Sequence, residues 1–157
     1  MPRLLALFLV LSSIGIAACG GGDDSAPTKE EFANDADKIC QDTEKEIEKI
    51  GQGASSPDEL ADALDKVIAS AKNAANKLTD LDRPEGDAGD TATKFAEGFE
   101  QELNDQLIPA LEKLKKAIKD KDAQAAQAAA ADLQKLESTE SDKFAREIGA
   151  NACVGTA

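Results

Sequence analysis

From Thr28 onward, apolar side chains return every three or four positions and polar ones fill the gaps. That spacing gathers the apolar residues onto one face of an α-helix. Four segments carry it. In the first, Phe32, Ala36, Ile39 with Cys40, Thr43, Ile47 and Ile50 form the stripe, and Gly51-Gln52-Gly53 ends it. Thr28, followed three residues later by Glu31, predicts a capping box at its start. The second opens on Ser56-Pro57 with Glu59, a cap, a first-turn proline and a box-closing carboxylate. Its stripe is Leu60, Leu64, Val67, Ala71, Ala74 and Leu78. A turn-rich linker, Asp80 to Gly86, follows and contains Pro84. The third segment runs from about Asp87 or Asp90 to Lys119, with Ala92, Phe95, Phe99, Leu103, Leu107, Ala110 with Leu111, Leu114 and Ile118 facing inward.

Pro109 falls inside that third segment. An interior proline removes one backbone hydrogen bond, so a bend is expected near Asp105. The bend either opens a cavity in the bundle or wraps the helix around its neighbours. Asp120-Lys121-Asp122 permits a tight turn. The fourth segment carries the run AQAAQAAAADLQKLE, with Ala126, Ala130, Leu133, Leu136 or Glu137, Phe144 and Ile148 inward. Gly149 and Asn151 are the expected terminators. Four amphipathic helices with short connections predict an all-α, antiparallel, up-down-up-down four-helix bundle. A three-helix arrangement with a loose first helix is the rival. A continuous coiled coil fits less well, because the spacing is irregular and glycines interrupt it.

The front of the chain follows another pattern. Met1-Pro2-Arg3 supplies a positive start, and Leu4 to Ile16 is apolar apart from Ser12, Ser13 and Gly15. That run is too short to span a bilayer and has the shape of a secretory signal peptide. Ile16-Ala17-Ala18-Cys19 resembles the lipobox of bacterial lipoproteins: a branched apolar residue, two small residues, then the cysteine that takes the lipid. Cys19 is therefore the expected lipidation site, a thioether to a diacylglycerol carrying fatty acids such as palmitate. Two or more acyl chains anchor stably where one does not. A plain signal peptide with a stray cysteine, or a buried N-terminal helix, are the alternatives. Gly20-Gly21-Gly22-Asp23-Asp24-Ser25-Ala26-Pro27 reads as a flexible tether. The expected organisation is a signal peptide over 1–18, a tether over 19–27 and a helical domain over 28–157. The expected place is the cell membrane, with the domain on its extracytoplasmic side.

Charge narrows the partners. The 157 residues include 31 acidic and 18 basic side chains and no histidine, for a formal charge of -13. Such a field repels nucleic acid and anionic lipid headgroups. Lys113, Lys115, Lys116, Lys119 and Lys121 are interleaved with Glu112, Asp120 and Asp122, which suits a solvated face better than a binding patch. Tryptophan and tyrosine are absent, and many apolar residues are alanine, so the core is expected to be thin. Without histidine there is no histidine-based triad and no Glu-x-x-His di-iron pair. The only methionine is Met1. Gly20-Gly21-Gly22 lacks the strand and the Lys-Ser/Thr of a phosphate loop. No cofactor, no catalytic residue and no enzymatic activity are expected.

Asp80, Asp82, Glu85, Asp87 and Asp90 could attract Ca²⁺ weakly. Their spacing is not that of a calcium hand, since Pro84 takes the third ligand position and Thr91 the twelfth. A solvated loop is the plainer reading. Cys40 and Cys153 remain once Cys19 is committed to lipid, and outside the cytoplasm leftover cysteines usually pair. A redox or metal pair is the rival. Catalytic dithiols sit closer together in sequence, and a metal would need further soft ligands.

The stretches FANDADKICQD, LTDLDRPEGD and FAREIGANACVG, behind a lipobox and a Gly/Asp linker, resemble a group of small secreted or lipid-anchored helical proteins of high-GC Gram-positive (actinobacterial) bacteria. Ala36-Asp37-Lys38-Ile39-Cys40 fills the group's first motif, Leu78 to Pro84 its turn, and Phe144 to Cys153 its tail. The tail departs from the pattern at Ile148-Gly149-Ala150-Asn151-Ala152, where a tighter aromatic-Gly element is usual. The resemblance strengthens the expected pairing of Cys40 in the first helix with Cys153 in the C-terminal tail and adds no function. Two functions fit these observations. One is a membrane-anchored binding or accessory module facing an envelope protein, a polymer or a small ligand. The other is a structural spacer or self-associating envelope protein.

Overall fold

The structure, a computed structural model, describes residues 25–136 and 140–155. The expected signal peptide, Cys19 and the first part of the tether lie outside the described residues. Helix α1 spans Lys29–Gly51 and α2 spans Pro57–Asp80. Both capping boxes form as their sequences predict: Thr28 and Ser56 accept from the backbone of Glu31 and Glu59, whose carboxylates reach back. Helix α3, Asp87–Glu102, continues through a π-helical turn, Leu103–Leu107, into α4, Ile108–Lys119. Helix α5 covers Ala123–Leu133 and α6 covers Glu140–Ile148. A short 3₁₀ turn, Asn151–Cys153, follows α6.

The four-helix bundle is therefore corrected. With α3, the π turn and α4 counted as one rod, the described residues form an all-α bundle of five helices. The segment expected as one last helix is two. Its halves pack in antiparallel order along that one rod, α5 against α4 and α6 against α3. The buried residues Ala129 and Ala145 explain why one rod fails. Sixteen residues apart at 3.6 per turn, they would face directions about 160° apart on a single helix. The second half is also started by a neighbour. The Glu102 carboxylate on α3 accepts from the backbone N–H groups of Glu140 and Ser141, each at 3.2 Å, and from the Ser141 hydroxyl. These are the unpaired donors of a helix start.

The bend at Pro109 takes a specific form. The Ile108 N–H bonds back to the Leu103 carbonyl, five residues away, and the π turn is centred on Asp105. One extra residue per turn is a common way for a helix to absorb a broken ladder.

The core falls into zones. The largest joins Phe32, Ala36 and Cys40 of α1 to Leu78, Phe95, Ile148 and Cys153. Phe32, Phe95, Leu78 and Ile148 are its biggest fully buried side chains, each stabilising by about 1.5–3 kcal/mol. A second zone packs Leu64 and Ile68 of α2 on Leu111 of α4. A third, at the π turn, joins Leu103 to Ala71 and Ala75. Much of this core is alanine, as the composition suggests. Among the described residues two ion pairs join helices: Lys115 pairs with Asp65 across α4 and α2, and Lys113 with Asp132 across α4 and α5.

Candidate functional site

The apolar stripe of α1 is not buried along its whole length. Its first half, Phe32 to Cys40, is covered by α6 and the 3₁₀ turn, while Thr43, Ile47 and Ile50 stay only half-buried. Against that half lies a cavity of about 310 Å³, bounded by α1, α2 and the π turn. This is at the small end of the range of about 300–1,000 Å³ for small-molecule sites. Ile47, Val67, Ala71, Ala74, Phe99, Leu103 and Leu107 make its apolar wall. Cys40 closes one end, and Gly155 of the tail borders it. No lining residue comes from α5.

The cavity sits beside the π turn that precedes Pro109. Pro109 itself is exposed and takes no part in the wall. What reaches the cavity are Leu103 and Leu107, at the two ends of the π turn.

The polar residues at the site are Thr43, Glu44, Glu48 and Glu102. The Thr43 hydroxyl donates to the Ile39 carbonyl at 2.8 Å and is thereby turned back onto its own helix. Glu102 is committed to the start of α6. Glu44 and Glu48 are different. They are exposed, one helical turn apart, and make no ion pair or side-chain hydrogen bond among the described residues. Like charges at that spacing repel by a few tenths of a kcal/mol.

Cys40 and Cys153 form the expected disulfide, with Cα atoms 5.2 Å apart. The residues around Cys40 each have a structural task. Ala36 is fully buried beneath the tail, Asp37 accepts from the Ala152 N–H at 2.7 Å, and Ile39 packs on the main core. Asp142 accepts from the Gly155 N–H at 2.9 Å. Ala36 to Cys40 is thus a clasp for the C-terminus, which accounts for the pattern without any chemistry.

The acidic linker does not gather. Among the described residues, no three His, Cys, Asp or Glu side chains converge on a position that could hold a metal ion. The side chain that organises the linker is a cation, Arg83, which sequence reasoning passed over. Its guanidinium donates to the carbonyls of Leu78, Thr79 and Leu81, closing the C-terminus of α2, and lies 5.3 Å from the Phe32 ring. Burial lowers its pKa from the ordinary value, while Glu97 and Asp82 act the other way. The only sequence hint was a lone arginine just past a helix end, where cations meet unpaired carbonyls.

A second, more open groove lies at the far end of the bundle. Leu60, 42% exposed, sits there beside Ile118 and Ala126. No described helix is long and apolar enough to cross a membrane. Compared with protein-family models, with curated proteins and with solved structures, the chain matches none.

Proposed function

We propose that this chain is a non-enzymatic, lipid-anchored binding module of the bacterial cell envelope, related to the actinobacterial group it resembles. In this reading residues 1–18 direct export and are removed, Cys19 carries the lipid, and residues 19–27 hold the domain off the membrane. The acidic surface suits that stand-off, because anionic headgroups repel it. The observation that carries the binding role is the cavity between α1, α2 and the π turn. A chain whose core is this rich in alanine would be stabilised by filling that space, yet the space is kept.

A neutral environment-sensitive dye such as N-phenylnaphthylamine tests the binding role. Saturable fluorescence enhancement at one dye per chain, lost in Val67→Phe and Thr43→Phe, is the expected result. No saturable enhancement in the oxidised protein would refute it. Mass spectrometry of the membrane-fraction protein tests the anchor: a lipid adduct on Cys19, absent in Cys19→Ala, is expected, and an unmodified Cys19 would refute it. A self-associating spacer is the second reading, and the exposed Leu60 in the far groove favours it. Sedimentation separates the two, since a dimer broken by Leu60→Glu supports the spacer.

A further inference from the structure

We propose that the cavity takes a single-chain amphiphile with a cationic head, its hydrocarbon chain against the apolar wall and its ammonium against Glu44 and Glu48. This rests on the binding role above and names the class of ligand. Three observations carry it. The wall is apolar from Val67 across to Leu103 and Leu107. The stripe of α1 from Cys40 to Glu48 runs for about 12 Å at 1.5 Å per residue, the reach of an octyl chain or slightly longer. Every charged side chain that borders the cavity is a carboxylate.

Among those carboxylates, only Glu102 has its charge balanced, by the donors that open α6. Glu44 and Glu48 repel one another across one turn of α1, and Lys45, which stands between them in sequence, pairs with Asp42 instead. A cation seated at the mouth removes that repulsion and gains attraction to both. An anionic head would meet three carboxylates and a chain of formal charge -13. A neutral head would gain only the apolar burial. Recognition is thus divided: the cavity selects for a chain of limited length, and the two glutamates select for the sign of the head.

The test uses the oxidised full chain carrying Cys19→Ser, which blocks lipid attachment. Octyltrimethylammonium, octanol and octyl sulfate are titrated by calorimetry below their micelle-forming concentrations. Octyltrimethylammonium is expected to bind at one per chain, about tenfold tighter than octanol, with octyl sulfate not binding. Glu44→Gln with Glu48→Gln should reduce the ammonium affinity about tenfold and leave octanol unchanged. Asp35→Asn with Asp62→Asn removes the same charge from exposed positions outside the cavity and should change neither. Equal binding of ammonium and alcohol, or an equal loss in both pairs of variants, overturns the cationic proposal and leaves the binding role intact. No binding of any of the three, together with no dye binding, overturns the binding role itself.

Discussion

Opening the Cys40–Cys153 bridge should cost this domain a large part of its stability. The two cysteines are 113 positions apart, so the bridge closes a loop holding nearly all of α1 to α6. Cross-linking removes conformations from the unfolded chain, and the chain-entropy relation gives about 4.8 kcal/mol at 25 °C for a loop of this length. A domain of about 130 residues loses roughly 0.27 kcal/mol per degree near its midpoint, so the melting temperature should fall by roughly 18 °C. Both sulfurs belong to buried residues, so Cys40→Ala with Cys153→Ala also trims a little packing. The reduced native chain separates the two effects. The tail keeps its bonds to Asp37 and Asp142, which contribute about 1.5–3 kcal/mol each where the acceptor is charged. The expected outcome is a folded but weaker domain. Urea unfolding followed by far-ultraviolet circular dichroism, oxidised against reduced, reads the difference. The urea dependence should also steepen on reduction, because the uncross-linked chain exposes more surface. A difference below about 1 kcal/mol would refute the reasoning, because the unfolded chain would then already be as confined as the bridge makes it.

Gly89→Ala should destabilise by about 1–3 kcal/mol, the range for overpacking, because a Cβ there would lie 2.2 Å from the Pro84 carbonyl oxygen. Gly53→Ala, with nothing within 4 Å of the new methyl, is the control and should be neutral or slightly stabilising in the same thermal melts. Stability should be flat between about pH 6 and 8, since the chain has no histidine. On the acid side, the hydrogen bonds of Thr28 lower the pKa of Glu31 from 4.5, those of the Ser55 backbone and then Ser56 lower that of Glu59 from 4.5, and hydrogen bonds to Lys115 and Lys113 lower those of Asp65 and Asp132 from 3.8. Carboxylates held lower in the folded state bind fewer protons than in the unfolded one. Their contribution is therefore complete above those ordinary values and is lost as pH falls through the folded ones. Urea midpoints measured from pH 7 down to 3 should fall only below about pH 4.5 and less steeply in high salt, since all four groups are exposed. A fall already complete at pH 5 would contradict this.

Much of the architecture was legible along the chain because it is local. The capping boxes at Thr28 and Ser56 need only residues three apart. The stop at Gly149 needs only a position that tolerates a positive φ, here 101°. The bend near Asp105 follows from a proline four residues on. The pairing of Cys40 with Cys153 follows from there being no other partners once Cys19 is set aside. Composition alone set the thin, alanine-rich core and the strongly acidic surface.

The tertiary structure decided what depended on distant groups. An alanine-rich stretch is helical by propensity and carries little information about which face is inward, because nearly every face looks alike. Whether α5 and α6 would be one helix or two depended on α3, whose Glu102 caps the start of α6. The cavity depends on distant groups too, since α1, α2 and the π turn each supply part of its wall. Arg83 likewise acquires its role only when the end of α2 and the ring of Phe32 come together around it. Periodicity indicates the inward face where large apolar residues mark it, although Leu60 of the predicted stripe stays 42% exposed and α5 buries Ala129 rather than Ala126 or Ala130. Only the packing of whole helices determines where the inside is left empty.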